Sequence, residues 1–313
     1  MRFTLRYPMP HGGDERLLTP ETIALVARTA EDSGFDGIAF TEHPAPSAKW
    51  LEGGGHESLD PLTALAFVAG VTERIRLLTY LLVLPYRNPF LAAKQTATVD
   101  LLSAGRLTMA IGTGYLRSEF AALGVDFDER NELFDEAVEV LLGVWRTPAF
   151  TFQGRHFSAL GQTQRPEPVQ RPHPPLWVGG NSRRSRRRAA RFAQGWTPLL
   201  IDEDMSRTTR TPPLSSPAVL ADAIGDLREL TARAGRDPSA LDVQVEWSRL
   251  DDVDAGLPSI VDAVGQLAEA GATWVVFEPP GHDVDATLDV VRSYGELVIG
   301  QRAGSTATVA STP

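Results

Sequence analysis

Hydrophobic and β-branched residues gather in eight short runs, and stretches with helical spacing separate these runs. Each run is bounded by turn residues and has the length of a buried strand. The runs are RFTLRYP (2–8), GIAFTEH (37–43), RLLTYLLVL (76–84), RLTMAIGTG (106–114), PLWVGG (175–180), WTPLLI (196–201), DVQVEWS (242–248) and TWVVFEP (273–279). Strands that alternate with helices indicate right-handed crossover units and a parallel sheet.

Eight such units in 313 residues match the α/β class and predict a (β/α)8 TIM barrel. The alternative is an open doubly wound sheet, but no GxGxxG motif follows the first run. We therefore expect one barrel domain over residues 1–300 and a disordered tail over residues 301–313.

Local signals also predict where the helices begin and end. A capping residue followed by proline favours a helix start, and a glycine in the left-handed conformation favours a helix end. The predicted starts are Thr19-Pro20, Asp60-Pro61, Asn88-Pro89 and Ser216-Pro217. The predicted ends are Gly34, Gly105, Gly195 and Gly271.

Two segments interrupt the repeat. Residues 148–174 indicate a hairpin and a proline-rich insertion before the fifth strand, and residues 202–217 indicate a mobile loop after the sixth. In barrels the chemistry lies on the face where strands end. We expect both segments on that face, as walls or lids of a pocket.

Composition excludes several classes of function. The chain has no cysteine, so disulfides and thiolate chemistry are excluded, and its formal net charge is −10. An acidic protein is not expected to bind nucleic acid or anionic membranes without specific contacts. The start, MRFTLRYPMPHGG, has no apolar run long enough for a signal peptide, and no run in the chain approaches the length of a membrane span. We expect a cytoplasmic location.

The barrel prediction selects polar residues at the ends of the strands, which are expected to line one cavity. They are Glu42 and His43; Thr79 and Tyr80; Gly112, Thr113 and Gly114; Gly179, Gly180, Asn181 and Ser182; Glu246 and Trp247; and Glu278 followed by His282. His43 is the main catalytic candidate, because imidazole can donate or accept a proton near neutral pH. Glu42 could orient it if the chain bends there.

The remaining histidines are assigned less function. His11, His56, His156 and His173 fall on loops, where a structural role is expected, while either role is open for His282. No two histidines have the spacing of metal ligands, so no metal site is expected.

The Gly179–Ser182 turn predicts a phosphate site. Glycines let backbone N–H groups approach a ligand, Ser182 adds a hydroxyl, and a helix start binds anions. Six arginines fall within residues 183–191. Arg183 and Arg184, in the first helical turn, could bind phosphate oxygens. The other four are expected on a solvated face, unless the ligand carries a long anionic tail.

Several stretches together resemble the luciferase-like flavin and deazaflavin oxidoreductase family, a group of TIM-barrel enzymes. They are GFDGIAFTEH (34–43), LVLPYRNPFLAAKQTATVDLLSAGRLTMAIGTGY (82–115), EFAALGVDFDER (119–130), FDEAVEVLLGVW (134–145), FQGRHF (152–157), the segment 166–182 ending in PPLWVGGNS, and FEPPGHD (277–283). The resemblance extends over nearly the whole chain and is strongest to the branch that uses coenzyme F420, a deazaflavin.

The resemblance implies further expectations. His43 matches the histidine beside the reactive ring, residues 179–182 match the phosphate turn, and a non-proline cis peptide should fall near Thr79–Leu81. Coenzyme F420 is the expected cofactor, with FMN as the alternative, and the substrate is a small organic molecule. Tyr115 replaces a glutamate of the glucose-6-phosphate dehydrogenase branch, which argues against a sugar phosphate. A homodimer is expected, together with a separate reductase that supplies reduced cofactor.

Overall fold

The computed structural model describes residues 1–10, 12–252 and 256–300, with Leu257 described only by its backbone. His11 and the predicted tail lie outside the described residues. The chain has the (β/α)8 TIM-barrel fold, as predicted, and each of the eight expected runs contains a strand. The fifth predicted strand is β7 (Leu176–Gly179), and the insertion before it contains a hairpin of β5 (Phe150–Gln153) and β6 (Ser158–Gln162).

The strands are β1 (Arg2–Arg6), β2 (Gly37–Phe40), β3 (Arg76–Val83), β4 (Leu107–Gly112), β5 (Phe150–Gln153), β6 (Ser158–Gln162), β7 (Leu176–Gly179), β8 (Gly195–Thr197), β9 (Leu199–Leu200), β10 (Asp242–Trp247) and β11 (Trp274–Phe277). The helices are α1 (Pro20–Asp32), α2 (Ala48–Glu52), α3 (Pro61–Ala69), α4 (Pro89–Leu102), α5 (Arg117–Ala122), α6 (Arg130–Arg146), α7 (Arg183–Phe192), α8 (Glu203–Thr209), α9 (Pro217–Arg233), α10 (Leu257–Ala270) and α11 (Val284–Tyr294).

Contacts group the chain into two units: a terminal unit of residues 1–39 and 180 onward, and a central unit of residues 40–179. In the terminal unit, β11 pairs in parallel with β1 and with β10, and β1 also pairs with β2. Phe277 and Tyr294 stack with ring centroids 4.0 Å apart, and Phe35 stacks on both. This aromatic group forms a major part of the unit's core.

In the central unit, β4 pairs in parallel with β3 and with β7. The pairing shifts register between Thr79 and Leu82, and the Tyr80–Leu81 peptide in between is cis. The cis peptide that the family resemblance implied near Thr79–Leu81 is therefore confirmed. Strands β5 and β6 pair antiparallel, which confirms the predicted hairpin.

The insertion over residues 148–174 lies at the starts of neighbouring strands, so its predicted position on the catalytic face is wrong. The side chain of Gln170 donates to the carbonyl of Leu107, the first residue of β4, over 2.7 Å and to Asp100 over 2.7 Å. Arg76, the first residue of β3, contacts Gln170 over 3.4 Å. The physical reason is the order of the elements. The segment connects the end of helix α6 to the start of strand β7, so it lies on the face where strands begin, opposite the catalytic face.

The four predicted helix starts are confirmed, because each capping side chain accepts a backbone N–H of the first turn. The glycines Gly34, Gly105 and Gly271 have φ of 87°, 85° and 100°, as left-handed turn glycines should.

Gly195 differs from this prediction, because it is the first residue of β8 and not a left-handed glycine. Helix α7 ends earlier, at Phe192. The carbonyls of Ala189, Ala190 and Ala193 at its end accept hydrogen bonds from the side chain of Arg236. A distant arginine therefore satisfies the helix end, and a glycine turn is not needed.

Among the helices in the described part of the chain, none combines the length and the apolar character that a membrane span requires.

Candidate active site

His43 lies in the central unit, just after β2. Its backbone N–H donates to the hydroxyl of Ser58 over 2.8 Å. Its side chain is 9% exposed, and Nδ1 lies 3.3 Å from a carboxylate oxygen of Glu119. In the neutral ring this contact favours a proton on Nδ1, which leaves Nε2 as the nitrogen that can accept a proton.

Glu119, in the first turn of α5, is the acidic partner of His43. Its side chain is 1% exposed, and it also accepts from the hydroxyl of Tyr86 over 2.8 Å and from the backbone N–H of Ala45 over 3.3 Å. Burial and the hydrogen bond to Glu119 raise the pKa of the Tyr86 hydroxyl, so it remains a donor. Neither Glu119 nor Tyr86 was predicted from the sequence. The motif EFAALG, which begins at Glu119, could have identified Glu119.

Glu42 faces a different part of the central unit. One oxygen accepts from the backbone N–H of Val83 over 2.6 Å, and the other pairs with Arg87. Burial raises the pKa of the Glu42 carboxyl, while the Arg87 guanidinium and the Val83 N–H oppose that change. Glu42 therefore anchors the chain after β3, and the carboxylate beside His43 is Glu119.

Aromatic rings surround His43. The ring centroids of Trp50, His56 and Tyr115 lie 4.5, 4.8 and 5.9 Å from that of His43. Gly55 lies so close to the Trp50 indole that a Cβ atom would overlap it. His56, for which a structural role on a loop was expected, is part of the same group of rings.

The other strand-end candidates of the central unit pack around Leu81. The hydroxyl of Thr79 donates to the carbonyl of Ala110 over 2.8 Å. A Cβ on Gly112 would lie 3.0 Å from the Leu81 side chain, and a Cβ on Gly179 would overlap it. These two glycines therefore leave room for Leu81, whose neighbour Tyr80 is buried.

Two further candidates lie after β4. Thr113 is half-buried, and Gly114 has a φ of 75°. A Cβ on Gly114 would approach Val83 and Phe120 within 2.8 and 2.9 Å. Gly114 is thus required both by its backbone conformation and by its packing.

In the terminal unit, the turn before α7 is held by many hydrogen bonds. Gly180 has a φ of 93°. The amide of buried Asn181 donates to the carbonyls of Leu199 and Pro212, each over 2.9 Å, and its backbone N–H donates to the hydroxyl of Thr211 over 2.8 Å. Asn181 therefore fixes the turn to the loop over residues 202–217, which contains α8.

Ser182 and the two arginine candidates begin α7. The Ser182 hydroxyl caps the helix by accepting from the N–H of Ser185 over 3.1 Å. Arg183 lies 3.4 Å from Asp226 on α9, and Arg184 is exposed. The first turn of α7 contains no acidic residue. Its N–H groups, the hydroxyl and the Arg184 guanidinium form a donor set that suits a phosphate.

A second charged cluster lies at the ends of β1, β10 and β11 in the terminal unit. Arg6 pairs with Glu246 over 2.6 Å and also with Glu278. Asp251 accepts from the backbone N–H of Glu278 over 2.9 Å. Burial, helped by the nearby carboxylates, raises the pKa of Asp251 to about 8. Sequence reasoning found Glu246 and Glu278 but missed Arg6 and Asp251. His282 is exposed at the same end of this unit.

Within residues 1–10, 12–252 and 256–300, no three histidine, aspartate or glutamate side chains are grouped so that they could hold a metal ion.

Residues 1–248 match the family model described as luciferase-like monooxygenase. The chain therefore belongs to the luciferase-like family of oxidoreductases and monooxygenases.

Relatives within this family use two different cofactors. The chain is 34% identical over 175 residues to the FMNH2-dependent dimethylsulfone monooxygenase of Pseudomonas putida, a match that covers 54% of this chain and 46% of that protein. It is 25% identical over 311 residues to the F420-dependent glucose-6-phosphate dehydrogenase of Microbacterium testaceum, covering 86% and 90%. The chain thus spans less than half the length of the first relative and most of the second.

A solved structure supports the fold. The crystal structure of a monooxygenase from Streptomyces bottropensis superimposes with a TM-score of 0.81 at 20% identity, covering 96% of this chain and all of that one. At this identity the likeness concerns the fold alone.

The buried Asp251 makes stability depend on pH. Its pKa is about 8 in the folded chain against an ordinary 3.8, so the folded state holds a proton that the unfolded state has lost between these values. Stability should therefore decrease as the pH rises from about 4 to about 8. Asp251→Asn should flatten this dependence, because the amide oxygen can still accept from Glu278. Urea unfolding at several pH values measures the free energy of unfolding of the wild type and the variant. If this free energy changed equally with pH in both proteins, Asp251 would not be the source of the dependence. Asp252→Asn is the control.

Proposed function

We propose that this protein is a coenzyme F420-dependent oxidoreductase that transfers a hydride between the deazaflavin and a small organic substrate. The observation that carries the proposal is His43 held by the buried Glu119, with Nε2 left to exchange a proton. The match to the F420-dependent relative, which extends over most of both chains, supports the choice of cofactor.

The bound deazaflavin would supply a carbon centre that accepts or releases a hydride and reacts poorly with oxygen. The protein must then move the matching proton. When an alcohol is oxidised, the hydroxyl proton would pass to Nε2 of His43, and in the reverse direction Nε2 would return it to the carbonyl oxygen.

Glu119 acts on this step through His43. Its buried negative charge would stabilise the imidazolium form, as the aspartate of a catalytic triad does. The hydroxyl of Tyr86 and the N–H of Ala45 hold the carboxylate in place. Glu119 is thus a positioning residue, and His43 is the catalytic residue.

The rings of Trp50, His56 and Tyr115 give the surroundings of His43 a flat, largely apolar lining. Such rings favour planar or apolar groups over sugar phosphates. In the terminal unit, the donor set at the start of α7 would bind the phosphate of the cofactor.

The alternative function is an FMN-dependent monooxygenase that receives reduced flavin from a separate reductase. The similarity to the FMNH2-dependent dimethylsulfone monooxygenase favours it. FMN also carries a phosphate, so the start of α7 suits both cofactors.

A direct titration separates the two functions. We expect the purified protein to bind coenzyme F420 and to bind FMN at least about tenfold more weakly. The deazaflavin chromophore without its phosphate should bind more weakly than F420 by more than this factor, because every charge-assisted bond to α7 is lost. Fluorescence titrations measure all three affinities. Preference for FMN would overturn the F420 assignment and favour the monooxygenase.

His43 and Glu119 should affect the rate and not cofactor binding. We expect His43→Ala to lower kcat by about ten- to ten-thousand-fold. Glu119→Gln should also lower kcat strongly, because its amide can donate to Nδ1 and would favour the wrong tautomer. A panel of alcohols, aldehydes and enones supplies substrates, with deazaflavin absorbance as the signal.

The matched control for this prediction is Glu132→Gln, which removes an exposed carboxylate from the first turn of α6. The control should keep full activity. Unchanged turnover in His43→Ala would show that His43 is not the proton carrier, whereas a weaker cofactor affinity in Glu119→Gln would indicate a merely structural role.

We propose a homodimer that forms through α3 and α4 of the central unit. These helices expose Phe67, Leu91, Leu101 and Leu102, and their only charged residues are Lys94 and Asp100. Asp100 is buried against Gln170. Two acidic chains repel each other over most of their surfaces, so a largely apolar face whose helices expose no acidic residue is where a second copy fits best.

Charge on this face should weaken the dimer. Leu91 and Leu102 are 62% and 59% exposed, so Leu91→Glu with Leu102→Glu should keep the fold and shift the protein towards monomers. Leu160→Glu is the control, because Leu160 is 85% exposed on the hairpin. Sedimentation velocity measures the fractions of monomer and dimer. If the double variant stayed dimeric, or if the control weakened the dimer equally, the interface would lie elsewhere.

A further inference from the structure

The arginine-rich helix α7 contains six arginines and no acidic residue. The structure divides these arginines into two sets. Arg186 pairs with Asp226 over 2.8 Å and donates to the carbonyl of Asn181 over 2.8 Å, and Arg183 approaches the same aspartate. Arg188 is buried. These three arginines are therefore paired or buried within the terminal unit.

The second set consists of Arg184, Arg187 and Arg191, which we call the arginine stripe. All three are exposed. Among the residues that the structure describes, none of the three makes an ion pair or a hydrogen bond with its side chain. Positions spaced by three and four residues share one face of a helix, so the stripe is continuous.

This arrangement is unusual for the chain. Exposed arginines elsewhere generally pair with a carboxylate, as Arg117, Arg155, Arg207 and Arg233 do. The chain has ten more acidic than basic residues, yet in the described part of the structure no carboxylate lies within ion-pair distance of the stripe. Three like charges on one face repel each other unless an anion lies among them.

The stripe begins beside the proposed phosphate site. Arg184 is in the first turn of α7, next to the Ser182 cap, and Arg191 is in the last turn. From Arg184 to Arg191 the helix rises about 10 Å, which is the length of about three extended residues. An anionic chain that leaves a phosphate at the helix start could therefore meet the three arginines in succession.

We infer that the arginine stripe binds an acidic chain attached to the cofactor phosphate, namely the oligoglutamate tail of coenzyme F420. This inference rests on the proposed function. The charge of the stripe identifies the ligand. The protein as a whole is acidic and would repel a polyanion, whereas the stripe would attract one. The stripe then selects for cofactors with a charged tail, whereas the start of α7 accepts any phosphate.

Fluorescence titration with two probes tests the inference. The probes are F420 with its oligoglutamate tail and the form of F420 that keeps the phosphate but lacks all glutamates. We expect the wild type to bind the tailed form about tenfold more tightly at low salt, since each exposed ion pair contributes little and three act together. The difference should decrease as the salt concentration rises.

A triple variant assigns the effect to the stripe. Arg184→Gln, Arg187→Gln and Arg191→Gln together should abolish the advantage of the tailed form, because the three cations that face the carboxylates are removed. The control triple of Arg2→Gln, Arg233→Gln and Arg292→Gln changes the net charge equally at exposed positions of the same unit. The control should keep the advantage of the tail.

The outcomes separate the two proposals. Equal affinities of wild type for the tailed and tail-free probes would overturn the role of the stripe and leave F420 binding intact. Equal losses in both triple variants would also overturn it, because the effect would then be one of net charge. Binding of neither probe would overturn the inference together with the proposed function.

Discussion

The site around His43 depends on the burial of two carboxylates in the central unit. Glu42 and Glu119 are 5% and 1% exposed as residues, and a buried charge is tolerated only when its oxygens are hydrogen-bonded or paired. Glu42 meets this requirement with the Val83 N–H at the end of β3 and with Arg87. Glu119 meets it with three donors, His43 and Ala45 from one segment and Tyr86 from another. Tyr86 and Ala45 hold the Glu119 carboxylate, and that carboxylate in turn holds the His43 ring.

Much of the fold could be predicted because its signals are local. A capping side chain and a proline act within one turn, so all four predicted helix starts are correct. The errors arose where a distant residue supplies the interaction. Arg236 satisfies the end of α7 across more than forty positions of sequence, and Gln170 attaches the insertion to the starts of strands. Neither contact leaves a periodic pattern.

The candidate site shows the same division between local and distant signals. His43 was selected because it follows a strand, and the Gly179–Ser182 turn because glycines precede an arginine-rich helix. Glu42 was assigned to His43 because the two are neighbours, but adjacent side chains of an extended segment point to opposite sides. Glu119 lies 76 positions away from His43, so only the folded chain brings the two together. Asp251 follows its strand by four residues, so the choice of polar residues at the strand ends did not include it.

The charge pattern of α7 bears on the choice between the two proposed cofactors. A single phosphate would be satisfied by the first turn of the helix, where the Ser182 cap and Arg184 lie. Arg187 and Arg191 lie one and two turns further, too far for that phosphate. Helix stability alone does not explain them, because unpaired like charges on one face destabilise a helix by some tenths of a kcal/mol per pair. A cofactor whose negative charge continues beyond its phosphate gives these residues a partner, and FMN has no such extension. The charge pattern of α7 therefore fits the tail of coenzyme F420 better than it fits FMN.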